Sequence, residues 1–155
     1  MLAKLFPRSL DNSYSGYKIA LWILGLVIAL RALQSTMIIF NGYTTAIGAD
    51  GIPLDKYPPD AVQTILALFA IGSLWRLLFS LLGAIVLIRY RSAMPLILAL
   101  MVLQFLAAQL LSWFIPLVRV GTPPGVIVNL IQFGLIVVAL VLSLMNRRVN
   151  ESQMA

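Results

Sequence analysis

The sequence predicts an all-α integral membrane protein, an antiparallel four-helix transmembrane bundle with both termini in the cytoplasm. Three observations support this fold class. Of the 155 residues, 61% are apolar and only 10% are charged, and the mean hydropathy is +1.00, whereas charged residues make up about a quarter of a soluble domain. The apolar residues form four runs, each longer than the roughly 20 residues that cross a bilayer. The basic residues collect on one side of these runs.

The first half of the chain contains a polar arm, two spans and a long loop. The arm is residues 1–16, and the first apolar run covers about residues 17–43. No small-x-small cleavage site follows this run, so we interpret it as a retained span rather than a secretory signal. The segment 44–60 is rich in Gly, Asp and Pro and is predicted to be a loop. Asp60 resembles the first residue of a capping box that begins the second span, about residues 61–88.

The second half of the chain contains two further spans. The short connection 89–92 must reverse the chain, so the second span and the third, about residues 94–118, are predicted to be tightly joined antiparallel neighbours. Ser92 is expected to cap the third span. The remaining segments are a loop at residues 119–123, a fourth span at about residues 124–145 and a cytoplasmic tail at residues 146–155. The whole chain is predicted to form a single membrane domain.

The orientation follows from the distribution of basic residues. Seven of them flank the spans on the side of the termini and two lie on the other side: Lys4, Arg8, Lys18, Arg89, Arg91, Arg147 and Arg148 against Lys56 and Arg119. Because short cytoplasmic segments carry the excess of Lys and Arg, both termini are predicted to be cytoplasmic. The same rule accounts for the net charge of +6. We therefore expect the lipid bilayer as a partner, and no nucleic acid.

Several kinds of chemistry are excluded by composition. The chain has no Cys and no His, which removes disulfides, thiolate catalysis, the usual zinc ligands and histidine ligation of haem. Asp50, Asp55 and Asp60 are evenly spaced in one loop, but their spacing fits no EF-hand loop. We expect no metal site and no cofactor.

Two arginines lie inside apolar runs. Arg31 is 13 residues from Lys18, and Arg76 is 13 residues from Arg89, which places both at about 20 Å from the cytoplasmic ends of their helices. Arginine does not lose its charge in proteins. All five acidic residues lie in tails or loops, so no internal carboxylate is expected at this depth. The counter-charge is expected from a partner's acidic residue, a lipid phosphate, a bound carboxylate or a permeating anion.

Other polar residues are predicted near the two arginines. Gln34 shares a helix face with Arg31, and Gln104 and Gln132 lie at about 17 and 22 Å by the same helical rise. We predict that Arg31, Arg76, Gln34, Gln104 and Gln132 contact an anion or a partner. The alternatives are that the glutamines only hydrogen-bond between helices and that the arginines extend to the membrane surface.

Small residues form a stripe around Arg76 on the second span. They are Gly72, Ser73, Ser80 and Gly83. Such stripes allow another helix backbone to approach closely. We predict that this stripe packs against a helix, with a ligand groove as the less favoured alternative.

These features define three functional hypotheses. The first is a non-catalytic accessory or assembly subunit, which docks on a larger membrane complex or on copies of itself and uses the arginines to meet an anionic group. The second is an anion or small-solute pathway formed by a homo-oligomer. The third is a membrane enzyme that acts on lipophilic substrates. We expect that the protein is not an enzyme.

Two known four-span layouts bear on these hypotheses. The membrane-associated eicosanoid and glutathione enzymes are similar in size, but the segment Ser73–Gly83 lacks the acidic-Arg signature of their second span. Small multidrug exporters depend on a carboxylate in the first span, where this chain has Arg31. The export of cationic drugs is therefore disfavoured.

Three segments carry a further resemblance. LDNSYSGYKIALWILGL at Leu10–Leu26, ADGIPLD at Ala49–Asp55 and RVGTPPG at Arg119–Gly125 resemble a group of small bacterial four-span integral membrane proteins of unassigned function. The resemblance implies the bacterial inner membrane. It implies no activity, ligand or catalytic residue.

Overall fold

The computed structural model describes residues 5–7 and 9–145, and the helices in this part of the chain follow the predicted order. They are α1 (Lys18–Phe40), α2 (Gly42–Gly48), α3 (Pro59–Arg89), α4 (Met94–Phe114) and α5 (Pro124–Leu144), with single 3₁₀ turns at Leu54–Lys56 and Arg91–Ala93. The predicted tail 146–155 lies outside the described residues, as do Lys4, Arg8, Arg147 and Arg148.

Four of the helices are long and apolar enough to cross a membrane. They are α1, α3, α4 together with the 3₁₀ turn before it, and α5. The long helices pack as a bundle, so the predicted all-α four-helix bundle is confirmed. The chain is a multi-pass membrane protein with four spans.

The helices of the bundle do not contact one another equally. Helix α1 packs most extensively against α3 and also against α5, which packs against α4. The Tyr17 N–H donates to the Leu142 carbonyl oxygen at 3.2 Å, so the start of α1 lies beside the end of α5. We call this end of the bundle the tail end and the opposite end the loop end. Helix α3 contacts α4 much less than it contacts α1, although a short turn joins α3 to α4.

The hydrophobic core has two parts. The larger cluster fills the tail-end half of the bundle and includes Leu24, Ile28, Leu98, Met101 and Ile136. A smaller cluster at the loop end contains Ala46, Ile52 and Leu54, packed against the first two turns of α3 and Phe69. Arg31 and Ser35 are the buried polar residues of α1 and lie along the helix between the two clusters.

The helices begin at prolines rather than at the predicted polar caps. The N-cap positions of α3 and α4 are Pro58 and Ala93, with no side-chain capping bond at either. The predictions that Asp60 and Ser92 act as caps are therefore wrong. Proline suits the first turn because its ring fixes φ at a helical value and its missing N–H is not needed there. The Ser92 hydroxyl oxygen instead accepts a hydrogen bond from the Asp11 N–H at 3.0 Å, which joins the N-terminal arm to the α3–α4 connection.

The predicted first span is divided near its loop end. Helix α1 stops at Phe40, because Asn41 has non-helical angles of φ −129° and ψ 42°, and α2 continues the chain. Gly51 then turns the chain with φ +67°, a left-handed conformation that glycine adopts without steric cost.

Backbone hydrogen bonds tie this loop to the loop before α5. The Val120 N–H donates to the Gly51 carbonyl at 2.8 Å, and the Gly125 N–H donates to the Ala49 carbonyl at 2.9 Å. The two loops at the loop end are thus one connected structure.

Candidate partner- and anion-contacting site

The relative depth of the two arginines follows from the packing of α1 on α3. Gly83 lies against Ile28. Counting along the antiparallel helices from this contact places Ser80 opposite Arg31 and Arg76 opposite Ser35. Arg76 is therefore about 6 Å nearer the loop end than Arg31 at a rise of 1.5 Å per residue.

The prediction that the arginines share one depth is wrong by about one helical turn. The prediction assumed that Lys18 and Arg89, at the cytoplasmic ends of their helices, lie at the same depth in the membrane. In the register of α1 and α3, Arg89 lies opposite Trp22, one turn inward from Lys18. The sequence contains the distances along each helix, but not the axial offset between helices.

Among the cations that the structure describes, Arg31 is the buried one. Its side chain is only 9% exposed, and its Nη1 donates to Oε1 of Gln104 at 2.9 Å. Arg31 thus reaches from α1 to α4, where Gln104 is itself exposed. The acceptor is a neutral amide, so the bond satisfies one donor and leaves the charge uncompensated.

Arg76 occupies the same face of α3 as Gly83. Seven residues separate them, about 20° short of two full turns, so Arg76 is directed toward the same side as Gly83, at a depth nearer the loop end. Its side chain is half-buried, and its positive charge acts on Arg31. The two cations therefore repel each other across the α1–α3 interface.

Asp50 is a charged neighbour that sequence reasoning missed. Its electrostatic partners are Arg119 and Arg76, although Asp50 lies in the loop between α2 and α3 and not within a spanning helix. Burial raises the pKa of the Asp50 carboxyl, and the two arginines oppose that shift. Within the described part of the chain no arginine forms a salt bridge at 4.0 Å or less. Asp50 therefore interacts electrostatically with Arg76 without direct contact. Among the described residues, Arg31 has no carboxylate as an electrostatic partner.

Among the described residues, three buried side-chain atoms have no hydrogen-bond partner. They are Oε1 of Gln34, Oγ of Ser35 and Nε2 of Gln132. Ser35 is fully buried and Gln132 is 3% exposed. Most buried polar atoms in proteins are hydrogen-bonded to protein or water, so the interior of the bundle has unused hydrogen-bonding capacity.

The small-residue stripe largely faces α1. Ser73, Ser80 and Gly83 are buried on α3, and the Ser80 hydroxyl donates to the Arg76 carbonyl at 2.9 Å. Gly72 differs, because it is exposed and a Cβ placed there would meet no atom within 4 Å. The stripe thus has three residues at a helix contact and one on the open surface.

Beyond Met101, α4 is covered on only one side. Phe105 stacks on Phe133 of α5 with ring centroids 4.2 Å apart, while Gln104, on the flank away from Phe105, is exposed. The exposed apolar residues of this half are Leu103, Leu106, Leu110, Leu111, Trp113 and Phe114. We use the name α4 groove for the exposed side of residues 103–114 of α4, a helix that makes few contacts with α3. The Arg31–Gln104 hydrogen bond lies at its inner edge.

Comparison with known proteins gives no match to a family model, to a curated protein or to a solved structure. Function must therefore be inferred from the chemistry of the site.

The described side chains of the site offer hydrogen-bond donors and acceptors. Its groups are guanidinium, amide and hydroxyl, which donate hydrogen bonds to oxyanions. Within residues 5–7 and 9–145, no group of three or more Asp or Glu side chains lies close enough to hold a metal ion. The site is best suited to receive a negatively charged or strongly polar oxygen group.

Proposed function

We propose that this protein is a non-catalytic accessory or assembly subunit of a larger complex in the bacterial inner membrane, with cytoplasmic termini. A transmembrane helix of the partner docks in the α4 groove and brings an acidic side chain toward Arg31. The observation that supports this proposal is the pairing of a buried, uncompensated Arg31 with an exposed Gln104 on a helix that lacks a neighbour on that side.

The energetic argument is one of charge compensation. A buried ion without a partner costs several kcal/mol even after the protein relaxes. A carboxylate within about 4 Å of a guanidinium gains about 4 kcal/mol at an effective dielectric constant of 20. A partner acid in the groove therefore offsets much of the cost of burying Arg31.

A second copy of this chain does not supply that acid. Of the four acidic residues that the structure describes, only Asp60, in the first turn of α3, lies within a spanning helix. A second copy also adds two more intramembrane arginines. Charge complementarity thus favours a different protein over self-association. The hypotheses of an anion pathway and of a membrane enzyme stay predictions.

Photo-crosslinking in cells tests the docking proposal. A benzoylphenylalanine at Leu111, two turns from Gln104 on the same face of α4, is expected to crosslink to the partner. The same amino acid at Leu130 of α5 is the matched control, because both leucines are 61% exposed. An equal yield at both positions would contradict the proposal, as would crosslinks only to a second copy of this chain.

Charge removal provides the second part of the test. Arg31→Leu is expected to reduce the Leu111 crosslink by tenfold or more, because the partner's acid is then buried without a counter-charge. The bundle itself should stay folded, as judged by gel filtration in detergent. Arg89→Leu removes the same charge at an exposed helix end and should leave the yield unchanged.

A further inference from the structure

A cavity of about 330 Å³ lies at the tail end of the bundle, between the N-terminal arm, the α3–α4 connection and the end of α5. Its lining includes Ser13 and Tyr14 of the arm, Ser92 of the connection, Pro95 at the start of α4 and Ser143 in the last turn of α5. Ligand pockets in proteins have volumes of about 300–1,000 Å³, so this cavity can hold a small polar group. It lies at the other end of the bundle from the α4 groove and is independent of the docking proposed above.

The N-terminal arm is tied to the α3–α4 connection by hydrogen bonds between Asp11 and Ser92. The Asp11 N–H donates to Oγ of Ser92 at 3.0 Å, and the Ser92 N–H donates to the Asp11 carbonyl oxygen at 3.2 Å. The Asp11 carboxylate in turn accepts hydrogen bonds from the N–H of Ser13, at 2.9 Å, and from its hydroxyl. The wall that the arm contributes to the cavity is therefore held in place by the rest of the bundle.

The hydroxyl groups that line the cavity are left mainly as acceptors. Three of them donate their hydrogen to an acceptor of this chain: Ser13 to the Asp11 carboxylate, and Tyr14 and Ser143 each to a backbone carbonyl. A hydroxyl oxygen also has two acceptor lone pairs, which these bonds do not use. Pro95 has no N–H to donate. The cavity is therefore suited to a group that donates several hydrogen bonds.

The charge beside these hydroxyl groups favours a cationic donor. Hydrogen bonds from the Ser13 side chain and N–H lower the pKa of the Asp11 carboxyl below its ordinary value, so Asp11 is negatively charged at neutral pH. Its carboxylate is bonded to the Ser13 hydroxyl, which lines the cavity. Ser143 lies at the C-terminal end of α5, where a helix carries partial negative charge. A primary ammonium, with three donors and one positive charge, matches both properties.

Arg91 adds a positive group next to the cavity. It precedes Ser92 in the α3–α4 connection and is half-buried. Its Nε donates to the Leu87 carbonyl at 3.1 Å, which leaves the Nη groups of the guanidinium for an anion. An ammonium site beside an arginine fits a ligand with both charges, such as an ammonium linked to a phosphate.

The position of the cavity matches that of lipid head groups. Trp22 is 81% exposed and Tyr90 is also exposed, and both lie near this end of the spanning helices. Exposed Trp and Tyr side chains in membrane proteins concentrate at the level of the head groups. A phospholipid of the adjacent leaflet can therefore present its head group at the cavity.

We propose that the tail-end cavity binds the head group of an ethanolamine phospholipid, with the ammonium among the hydroxyl oxygens of Ser13, Tyr14 and Ser143 and the phosphate beside Arg91. Asp11 acts through Ser13, because it holds the hydroxyl hydrogen and leaves the oxygen lone pairs for the ammonium. A choline head group has the same charges but no N–H donor, and a glycerol head group has no positive charge. The cavity therefore discriminates among phospholipids by the hydrogens of the ammonium.

Native mass spectrometry of the full chain in a neutral detergent tests the site. The first binding event is compared for phosphatidylethanolamine, phosphatidylcholine and phosphatidylglycerol with the same acyl chains. We expect the ethanolamine lipid to bind at least tenfold more tightly than either of the others. Equal affinity for the ethanolamine and choline lipids overturns the proposal, and so does tighter binding of the glycerol lipid.

Variants assign the preference to the cavity. Asp11→Asn is expected to weaken binding of the ethanolamine lipid about tenfold, because it removes the charge behind the acceptor, and Ser143→Ala should weaken it severalfold. The matched controls are Asp55→Asn, at an exposed aspartate of the loop end, and Ser112→Ala, whose hydroxyl also donates to a carbonyl of its own helix. Both controls should bind as the wild type does.

The choice of two cavity variants keeps the test decisive. Should Asp11→Asn fail to fold, Ser143→Ala decides the question, because Ser143 takes no part in the Asp11–Ser92 hydrogen bonds. A wild-type preference for the ethanolamine lipid in both cavity variants, or an equal loss in the two controls, overturns the site.

Arg91→Gln tests the phosphate contact. It is expected to weaken binding of the ethanolamine lipid about tenfold, as the loss of a charge-assisted hydrogen bond would, while Lys56→Gln at the loop end has no effect. An unchanged affinity in Arg91→Gln contradicts the placement of the phosphate.

Discussion

Replacing Gly125 with Ala is expected to disrupt the connection between the two loops at the loop end. A Cβ at this position would lie 2.6 Å from the backbone oxygen of Ala49 and 3.2 Å from Oδ1 of Asp50. A backbone oxygen cannot rotate away as a flexible side chain can, so the loop or the start of α5 must move. The Gly125 N–H donates to this same Ala49 oxygen at 2.9 Å. A movement that relieves the clash therefore also lengthens this hydrogen bond.

The size of the effect can be estimated from these distances. Close carbon–oxygen contacts in proteins are about 3.3 Å or longer, so the two segments must separate by about 0.7 Å. That movement takes the hydrogen bond to the limit of useful geometry, and its loss costs about 0.5–1.5 kcal/mol. If residual strain of about the same size offsets the up to about 1 kcal/mol returned by the higher helix propensity of alanine, Gly125→Ala should destabilise the protein by about 0.5–1.5 kcal/mol, the loss of the hydrogen bond.

Gly134 provides a matched control on the same helix. A Cβ at Gly134 would meet no atom within 4 Å, so Gly134→Ala should be neutral or stabilise the protein by up to about 1 kcal/mol. Unfolding in mixed micelles with increasing dodecyl sulfate, followed by circular dichroism, measures both variants. A Gly125→Ala variant as stable as Gly134→Ala would refute the close approach of the two loops.

Three further predictions concern ionisation and topology. Burial raises the pKa of Asp50 above its ordinary 3.8. The contribution of Asp50 to stability is therefore present below pH 3.8 and lost as the pH rises through the raised pKa. In unfolding measurements, Asp50→Asn should remove this pH dependence and Asp55→Asn should retain it. Burial also raises the pKa of Tyr14 from 10.0 to about 12, so stability should fall between those pH values, and Tyr14→Phe should show a smaller fall. Because the chain has no cysteine, Ser9→Cys should react with an impermeant maleimide only from the cytoplasmic side and Thr122→Cys only from outside, and reversed labelling would contradict the predicted topology.

The fold could be predicted from the sequence because it depends on local properties. The four apolar runs each exceed the length needed to cross a bilayer, and the structure contains the four corresponding helices. The helix starts were predicted less well. Asp60 is a residue type that often caps helices, but it follows the prolines at which α3 begins. Ser92 is another such type, but it pairs with the N-terminal arm. A capping pattern is a local signal, and tertiary contacts override it.

The geometry of the candidate site could be predicted only in part. Arg31 and Gln104 were identified as polar residues inside apolar runs, but their hydrogen bond depends on the rotation and offset of two helices. The electrostatic interaction of Asp50 with Arg76 depends on the position of the loop between α2 and α3. Gly51, next to Asp50, indicated a turn, but a turn residue does not specify which helix the following segment meets.

The uneven coverage of α4 has a mechanical consequence. Its first two turns are buried in the core, where they contribute Met94, Leu98 and their neighbours. The residues beyond Met101 contact α5, and α4 as a whole makes few contacts with α3. The chain then runs from Phe114 to Val120, whose N–H holds the Gly51 carbonyl beside Asp50. The loop-end half of α4 is therefore held by fewer contacts than its first half, and its end is connected through residues 115–120 to the segment around Gly51. We expect that an occupant that displaces this half of α4 would also displace the segment around Gly51, and with it Asp50.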